Sequence, residues 1–412
     1  MKLYPHQEKA VNETPAKWGL WFKMRVGKTA TAIRLAEKHA MSALIICPKS
    51  IKKQWEKEVE TWKLKCEFEV WSREQFRINY KKIKRHDAIV VDEVHTAGGN
   101  YKSQFFKALE AYIDHHAVRY IWPLTGTPYT GNPWCVYSYA RLLGRKWDWY
   151  KFKMTFFDEV RLGRAPAPGQ RDLRKRITVP KKGMEARLQE LLRSLGTVID
   201  LKDITEVMDD EDMVENISFG KEQKKLSDDF YDENPIVNFT RQHQIESGCL
   251  KSDGYVKDIK IRCPKDDRIV EICSNTDKVV IVCKYLLQIE KYVELLKLLG
   301  VPIFTIHGQQ KEMASEVAAK AEQEERAIVI VQGDMGCGYS LASFDTMIFA
   351  SMSFSFVSFD QVKSRMKAIG KKIANCYIHL ITEGKNSIDR AVYESVKRKE
   401  NFSIELYNNN NI

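Results

Sequence analysis

No apolar run in the 412-residue sequence approaches the roughly 18 residues that a membrane-spanning helix needs. The opening MKLYPHQEKAV lacks the apolar core of a secretory signal, so a soluble, cytoplasmic protein is expected. There is also no C-x-x-C pair. The nine cysteines (Cys47, Cys66, Cys135, Cys249, Cys263, Cys273, Cys283, Cys337 and Cys376) are scattered. An odd, unpatterned set in a long chain reads as reduced, buried thiols, and the spacing speaks against a zinc site. Acidic residues are the scarcer sign, 55 against 66 lysines and arginines, which leaves a net charge of +11. That balance favours a polyanionic partner, nucleic acid first.

What is present is enough apolar material for sizeable cores, 44% of the chain, in a length that implies two or three domains. Short β-branched runs alternate with amphipathic stretches, the pattern of βαβ units on a parallel sheet. In the first half, strands are expected at 20–22, 43–47, 88–91 and 120–124. A helix is expected over 51–62, with Ile51, Trp55, Val59 and Trp62 on one face. The second half repeats the rhythm, with strands at 279–283, 303–306, 327–331, 346–350 and 376–381 and helices near 286–299, 311–323 and 359–369. Between the halves, residues 161–187 carry nine lysines and arginines against Asp172 and Glu185. The segment GRAPAPGQ marks a loop there, the acidic run DDED at 209–212 reads as a solvated loop, and the tail YNNNNI is low-complexity. The expected fold is α/β: a first lobe over 1–145, a basic, mainly helical insertion over 146–265, a second lobe over 266–400 and a tail over 401–412.

The stretch KMRVGKTATAI, residues 23–33, ends a phosphate-binding pattern without beginning it. Gly27-Lys28-Thr29 is the G-K-T of a P-loop, but the first glycine of G-x-x-x-x-G-K-[ST] falls on Phe22. By itself the tripeptide is compatible with a working ATP site, a degenerate one or chance. Its setting favours function: it follows the apolar GLWF and opens a helix, which aims backbone N–H groups and the positive helix end at phosphates. Lys28 would then neutralise the β- and γ-phosphates, and Thr29 would hold Mg²⁺. A long Arg25 inside the loop can point outward. The second signal is AIVVDEVH, in which four apolar residues deliver Asp92 and Glu93 to a strand's carboxyl end. Asp92 can hold Mg²⁺, while Glu93 can orient or deprotonate the attacking water. The G-K-T is expected on a strand neighbouring this one. Other conspicuous residues read more plainly. His115 and His116 form a helix-end surface pair, and Trp134, Trp147 and Trp149 read first as core packing, with base stacking as the alternative.

With PLTGTPYTGNP added after VGKT and VVDEVH, the chain resembles superfamily 2 helicases and translocases of the Swi/Snf-like, DEAH-type branch. Further segments are similar to this family's motifs in order: LYPHQEKAV, ALIICPKSIKKQWEKEV, WSREQFR, RQHQIESGCLKSDG, KVVIVCKYLLQIEKYVELL, VQGDMGCGYSLASFDTMIF and FDQVKSRMKAIGKK. The resemblance runs over about residues 3–372 and is most like small phage-encoded DNA helicases, which act on branched replication and recombination intermediates.

The resemblance implies two RecA-like lobes that use ATP and Mg²⁺, with Lys28, Asp92, Glu93 and Arg365 as catalytic residues. It assigns nucleotide contacts to Gln7, Arg25, Val26, Gly27, Lys28, Thr29, Ala30, His95, Gly338, Gln361 and Arg365, with Thr29 and Asp92 as metal ligands. DNA (single-stranded, forked or branched) is the implied partner of a monomeric protein, met by Lys49, Ser50, Thr127, Gln332 and Gly333. The basic insertion adds Arg171, Arg174, Lys175 and Arg176. Three positions depart from the family: Arg25 where glycine is usual, Val94 where a small residue is, and Ala368 where the second arginine of the last motif falls. The expected activity is ATP-dependent unwinding of DNA or movement on it. The alternatives are a double-strand translocase that does not separate strands, and a DNA-binding clamp or annealing factor with weak ATPase.

Overall fold

The computed structural model describes residues 2–62, 64–161, 176–206, 208–230, 234–251, 258–335, 338–384 and 387–398. The chain divides into two compact units, Met1–Ile204 and Thr205–Ile412.

In the first unit the expected strands form where the β-branched runs lie: β1 (Gly19–Phe22), β2 (Ser42–Cys47), β4 (Ala88–Val91) and β5 (Tyr120–Pro123), with β3 (Glu67–Ser72) in addition. All pairings among β2, β3, β4 and β5 are parallel, in the order β3-β2-β4-β5. Isolated bridges at Lys17–Ile121 and Leu20–Leu124 set β1 beside β5. Beyond β6 (Phe157–Arg161) and β7 (Arg176–Pro180), which form an antiparallel pair, β8 (Gly196–Ile199) joins β1 in parallel. The expectation that the G-K-T strand neighbours the Asp-Glu strand is therefore corrected: β5 lies between them. Every residue of β1 and β4 is buried. That explains why both read as continuous apolar runs and not as alternating ones.

The second unit is built on a six-stranded parallel sheet. Its strands are β9 (Glu211–Ile217), β12 (Lys278–Cys283), β13 (Ile303–Ile306), β14 (Ala327–Gln332), β15 (Thr346–Phe349) and β16 (Cys376–Thr382), in the order β13-β14-β12-β15-β16-β9. The short strands β10 (Cys249–Leu250) and β11 (Ile259–Lys260) pair antiparallel to one side. Alternate residues of β12 feed opposite cores. Val280 and Val282 pack with Phe239, Phe344 and Met366, while Val279, Ile281 and Cys283 pack with Ile269, Ile289 and Tyr292. Such two-sided burial is what a period of two imposes on a strand between helical layers.

The α/β expectation with two parallel-sheet units is met. The stretch 146–265 is shared between the units, contributing four helices and six short strands among its described residues. The acidic run is corrected: Glu211 and Asp212 open β9, which pairs along β16 from Glu211–Cys376 to Ile217–Thr382. The tail lies outside the described residues. No described helix is long and apolar enough to cross a membrane.

Candidate nucleotide site

The loop after β1 is shaped by two residues with positive φ, Arg25 at 67° and Gly27 at 82°. Phe22, where the pattern's first glycine is missing, closes β1 in extended backbone that any residue adopts. Gly27 is needed twice over. Its left-handed backbone favours glycine, and a Cβ there would stand 2.2 Å from Gln7 Nε2. Gln7 is buried, donates to Gly27 O at 3.0 Å and accepts from Tyr4 N at 2.8 Å. His6 Nε2 donates to Val26 O at 2.9 Å, so the helix Pro5–Glu13 is stitched to the loop by adjacent side chains. Arg25 is half-buried, which corrects the outward-pointing expectation.

Helix Lys28–His39 starts from Gly27 with no side chain capping it. Its leading N–H groups carry the positive end of the helix dipole and suit a phosphate. Lys28, Thr29 and Ala30 stand in that first turn. The Lys28 ammonium is folded against the loop, donating to Phe22 O at 3.0 Å. On its other side lies Gly126 of PLTGTP, where a Cβ would come within 3.3 Å of Lys28 Nζ.

Asp92 and Glu93 leave the carboxyl end of β4, with Glu93 in left-handed backbone at φ 48°. Asp92 Oδ1 accepts from Glu93 N at 2.8 Å, and Oδ2 accepts the indole N–H of Trp55 at 2.8 Å. Burial and the neighbouring Glu93 charge push the Asp92 carboxyl up to about 6, against the pull of the Trp55 bond, Lys28 and Arg73. His95 Nδ1 meets Thr125 Oγ1 at 2.7 Å and lies 3.2 Å from Glu93 Oε2. Burial, then Arg73 and Lys28, take the imidazole down to about 3, so it is neutral at physiological pH.

Thr125 Oγ1 also receives Thr127 N at 3.0 Å, and Val94 N donates to Leu124 O at 3.0 Å. These bonds tie the segment after β5 to the segment after β4. Among the described residues, the buried His95 Nε2 and Thr127 Oγ1 have no hydrogen-bond partner, and Glu93 Oε2 has none beyond its 3.2 Å approach to His95 Nδ1. Buried polar atoms left open at the end of a sheet are what a polar ligand would satisfy. Magnesium carried on phosphates asks for only one or two protein oxygens; Thr29 stands in the first turn of its helix, and both Asp92 carboxylate oxygens are bonded to Glu93 N and Trp55.

Arg73 and Trp55 belong to this site although their types alone did not mark them. Arg73 donates to Asp92 O at 2.8 Å and Glu93 O at 2.7 Å, and also bonds Thr96 Oγ1. It opens the helix Arg73–Asn79, whose Ser72–Gln75 capping box fixes the start. The S-x-x-Q spacing in WSREQFR is the signal that would have found that helix start. Trp55 lies on the apolar face expected for its helix, Lys52–Trp62; its indole nitrogen is the part a hydrophobic pattern hides.

Lys49 and Ser50 fall in a 3-10 turn, Lys49–Ile51, just past β2, and Thr127 is buried past β5. Trp134 stacks on Trp149 at 5.7 Å and on Phe157 at 4.6 Å beside the first unit's core, which accords with the packing reading. His115 and His116 end the helix Gln104–His116. Arg171, Arg174 and Lys175 lie outside the described residues, and of Arg176 only the backbone, in β7, is described.

In the second unit, Gln361 is buried in the helix Phe356–Lys363, and Arg365 follows in the 3-10 turn Ser364–Met366. Arg365 Nε donates to Gln361 O at 3.2 Å and a terminal nitrogen donates to Tyr339 O at 3.1 Å, next to Gly338 with its φ of 87°. Gln332 ends β14 and its Oε1 accepts Gly308 N at 2.9 Å, while Gly333 N donates to Cys283 O at 2.8 Å.

No protein-family model and no curated protein matches this chain. Among solved structures it is similar to the Sulfolobus solfataricus SWI2/SNF2 ATPase core in complex with dsDNA. The identity is 18%, the match covers 97% of this chain and 91% of that one, and the TM-score is 0.41. A likeness at that score says nothing about activity.

Proposed function

We propose that the chain is a Mg²⁺-dependent ATP hydrolase that couples hydrolysis to movement on DNA. One observation carries the reading: β1, β4 and β5 end side by side, and their loops bring Lys28, the Asp92–Glu93 pair and Thr125–Gly126 together around buried, unsatisfied polar atoms. A chance G-K-T would have no reason to meet an acidic pair held by Trp55, Arg73 and a threonine-bonded histidine. Bound Mg²⁺-ATP would supply the phosphoanhydride to be cleaved and the charge neutralisation of its leaving oxygens. Lys28 and the helix Lys28–His39 would take up phosphate charge, and Asp92 and Thr29 would hold the metal. Glu93, oriented by Arg73 at its carbonyl and by His95 at its carboxylate, would position the attacking water or take its proton. Arg365 would stabilise charge that develops only during transfer. Lys49, Ser50, Thr127, Gln332 and Gly333 would contact backbone phosphates of the DNA, which gives grip without sequence reading.

The finer proposal is a helicase acting on forked or branched DNA. ATP turnover is measured without DNA and with single-stranded, duplex, forked and four-way DNA, next to a strand-displacement assay. Turnover is expected to need Lys28 and to rise with DNA. Lys28→Ala should abolish it, and Glu93→Gln should bind nucleotide but stall. Parent-level hydrolysis in either variant would sink the site assignment. Turnover stimulated by duplex DNA without strand displacement would make the protein a double-strand translocase. Tight DNA binding with little turnover would point to a clamp.

A further inference from the structure

The acidic run that opens β9 grips the segment that carries Arg365. Asp212 receives Lys363 Nζ at 2.6 Å and 2.8 Å on its two oxygens, and His379 Nε2 at 2.9 Å. Asp210 receives Lys367 Nζ at 2.7 Å and Asn375 Nδ2 at 2.9 Å. Lys363 and Lys367 stand on either side of Arg365 in sequence, one closing its helix and the other following its 3-10 turn. We infer that Asp210 and Asp212 are positioning residues for Arg365, a two-point clamp that holds the Lys363–Lys367 turn against the sheet. The inference rests on the reading of Arg365 given above.

Isolated surface ion pairs contribute little, but these are tied into the fold. Parallel pairing places Asp212 opposite Tyr377, and Glu211 N donates to Asn375 O at 2.8 Å, so the clamp's base is sheet and not loop. Lys363 Nζ stands 4.0 Å from the centroid of the Tyr377 ring, and Tyr377 OH donates to Lys363 O at 3.0 Å. His379 is 1% exposed and stacked on Phe349, so its N–H toward Asp212 would be left unsatisfied if the carboxylate were lost. Lys371, a further cation near this turn, is already engaged: its Nζ donates to Phe344 O, Met366 O and Asn375 Oδ1. With alanine at 368, Arg365 is left as the residue such a clamp would serve.

The test compares the full-length parent with the double variant Asp210→Asn, Asp212→Asn. A second double variant, Lys363→Gln, Lys367→Gln, breaks the same pairs from the other side. Hydrogen exchange by mass spectrometry over 361–371 should quicken by about tenfold in both, with the rest of the second unit unchanged. The kcat should fall by roughly tenfold, while the dissociation constant of a fluorescent ATP analogue stays within about twofold. Asp212→Glu should recover most of the turnover. Unchanged exchange over 361–371 overturns the clamp. So does a fall in kcat matched by weaker nucleotide binding and quicker exchange throughout the unit, which is a merely structural role. The underlying reading fails separately, if Lys28→Ala abolishes turnover while Arg365→Ala leaves it intact; the clamp is then decided by the exchange data alone.

Discussion

At the residue scale, the departures from the P-loop pattern resolve into backbone angles. Phe22 is harmless because its position is strand. Arg25 is not neutral, since the loop holds it at φ 67° in a region where a side chain costs about 1–2 kcal/mol. Glycine there would remove that strain and lose about 0.5–1 kcal/mol of it again through the freer unfolded chain. Arg25→Gly is therefore expected to stabilise the protein by up to about 1.5 kcal/mol, and Arg25→Ala, which keeps the strain, should not. Urea unfolding of both variants decides it; a loss of stability in Arg25→Gly would mean that contacts of the arginine side chain outweigh the strain. Glu93 carries similar strain at φ 48°, and Arg73, donating to its carbonyl, is the visible restraint. Strain of this kind cannot be read from a residue pattern, because the pattern records types and not the angles a loop imposes. Lys28, Asp92, Glu93 and His95 were legible because each follows a buried β-branched or apolar strand whose end is easy to place. Trp55 and Arg73 were not, because their contribution is made by the polar nitrogens of residues whose bulk serves packing or a helix start.

At the element scale, apolar periodicity found the inner strands, and it failed where an element's reason for existing is polar. β9 begins with acidic residues and is open on both faces, with the neighbouring Met213 and Val214 each about two-fifths exposed. Its pairing with β16, and the lysines and histidine waiting there, come from residues more than a hundred positions away. A second polar junction joins the helices Pro235–Glu246 and Ile388–Lys397. Glu246 accepts Ile388 N at 3.0 Å and Asp389 N at 2.9 Å, while Asp389 takes Lys265 Nζ at 2.6 Å and faces His243 at 3.4 Å. Burial, then the Asp389 charge, push Glu246 up to about 8, against those backbone donors and Lys265. A carboxyl with a folded value above its unfolded one keeps a proton that the unfolded chain releases. Its contribution is therefore complete below about pH 4.5 and is lost as pH rises toward 8. Stability should drop by a few kcal/mol across that window. Glu246→Gln, which cannot ionise, should flatten the dependence at the expense of one acceptor. Urea midpoints at pH 5, 6.5 and 8.5 check this; a parent curve as flat as the variant's would show that Glu246 is ionised throughout.

At the scale of the whole molecule, the alternation of β-branched runs and amphipathic stretches was sufficient for two parallel-sheet units. The interior of the chain between them was not legible to the same degree. Its strands are short, and two of them, β8 and β9, earn their pairing only from the edges of sheets built elsewhere. The net charge of +11 is a property of the same scale and bears on the proposed DNA partner rather than on the fold. Residues 161–187 concentrate it; of that segment the structure describes Arg161, which ends β6, and residues 176–187, with Arg161 opposite Arg176 across the antiparallel register. With nine basic residues against two acidic ones, this segment is expected to meet DNA phosphates. Each phosphate contact releases about one condensed counterion, so each lost contact should lower the slope of log affinity against log salt by roughly one. Replacing Arg171, Arg174, Lys175 and Arg176 with alanine should weaken duplex and forked DNA to a similar degree, whatever their sequence, and reduce the salt slope by up to about four. ATP turnover without DNA should stay near the parent's, because none of the four is among the residues assigned to the nucleotide. Fluorescence anisotropy from low to moderate salt is the measurement. An unchanged slope would return the segment to an ordinary solvated face, and a loss confined to one DNA sequence would mean that it reads bases and not phosphates.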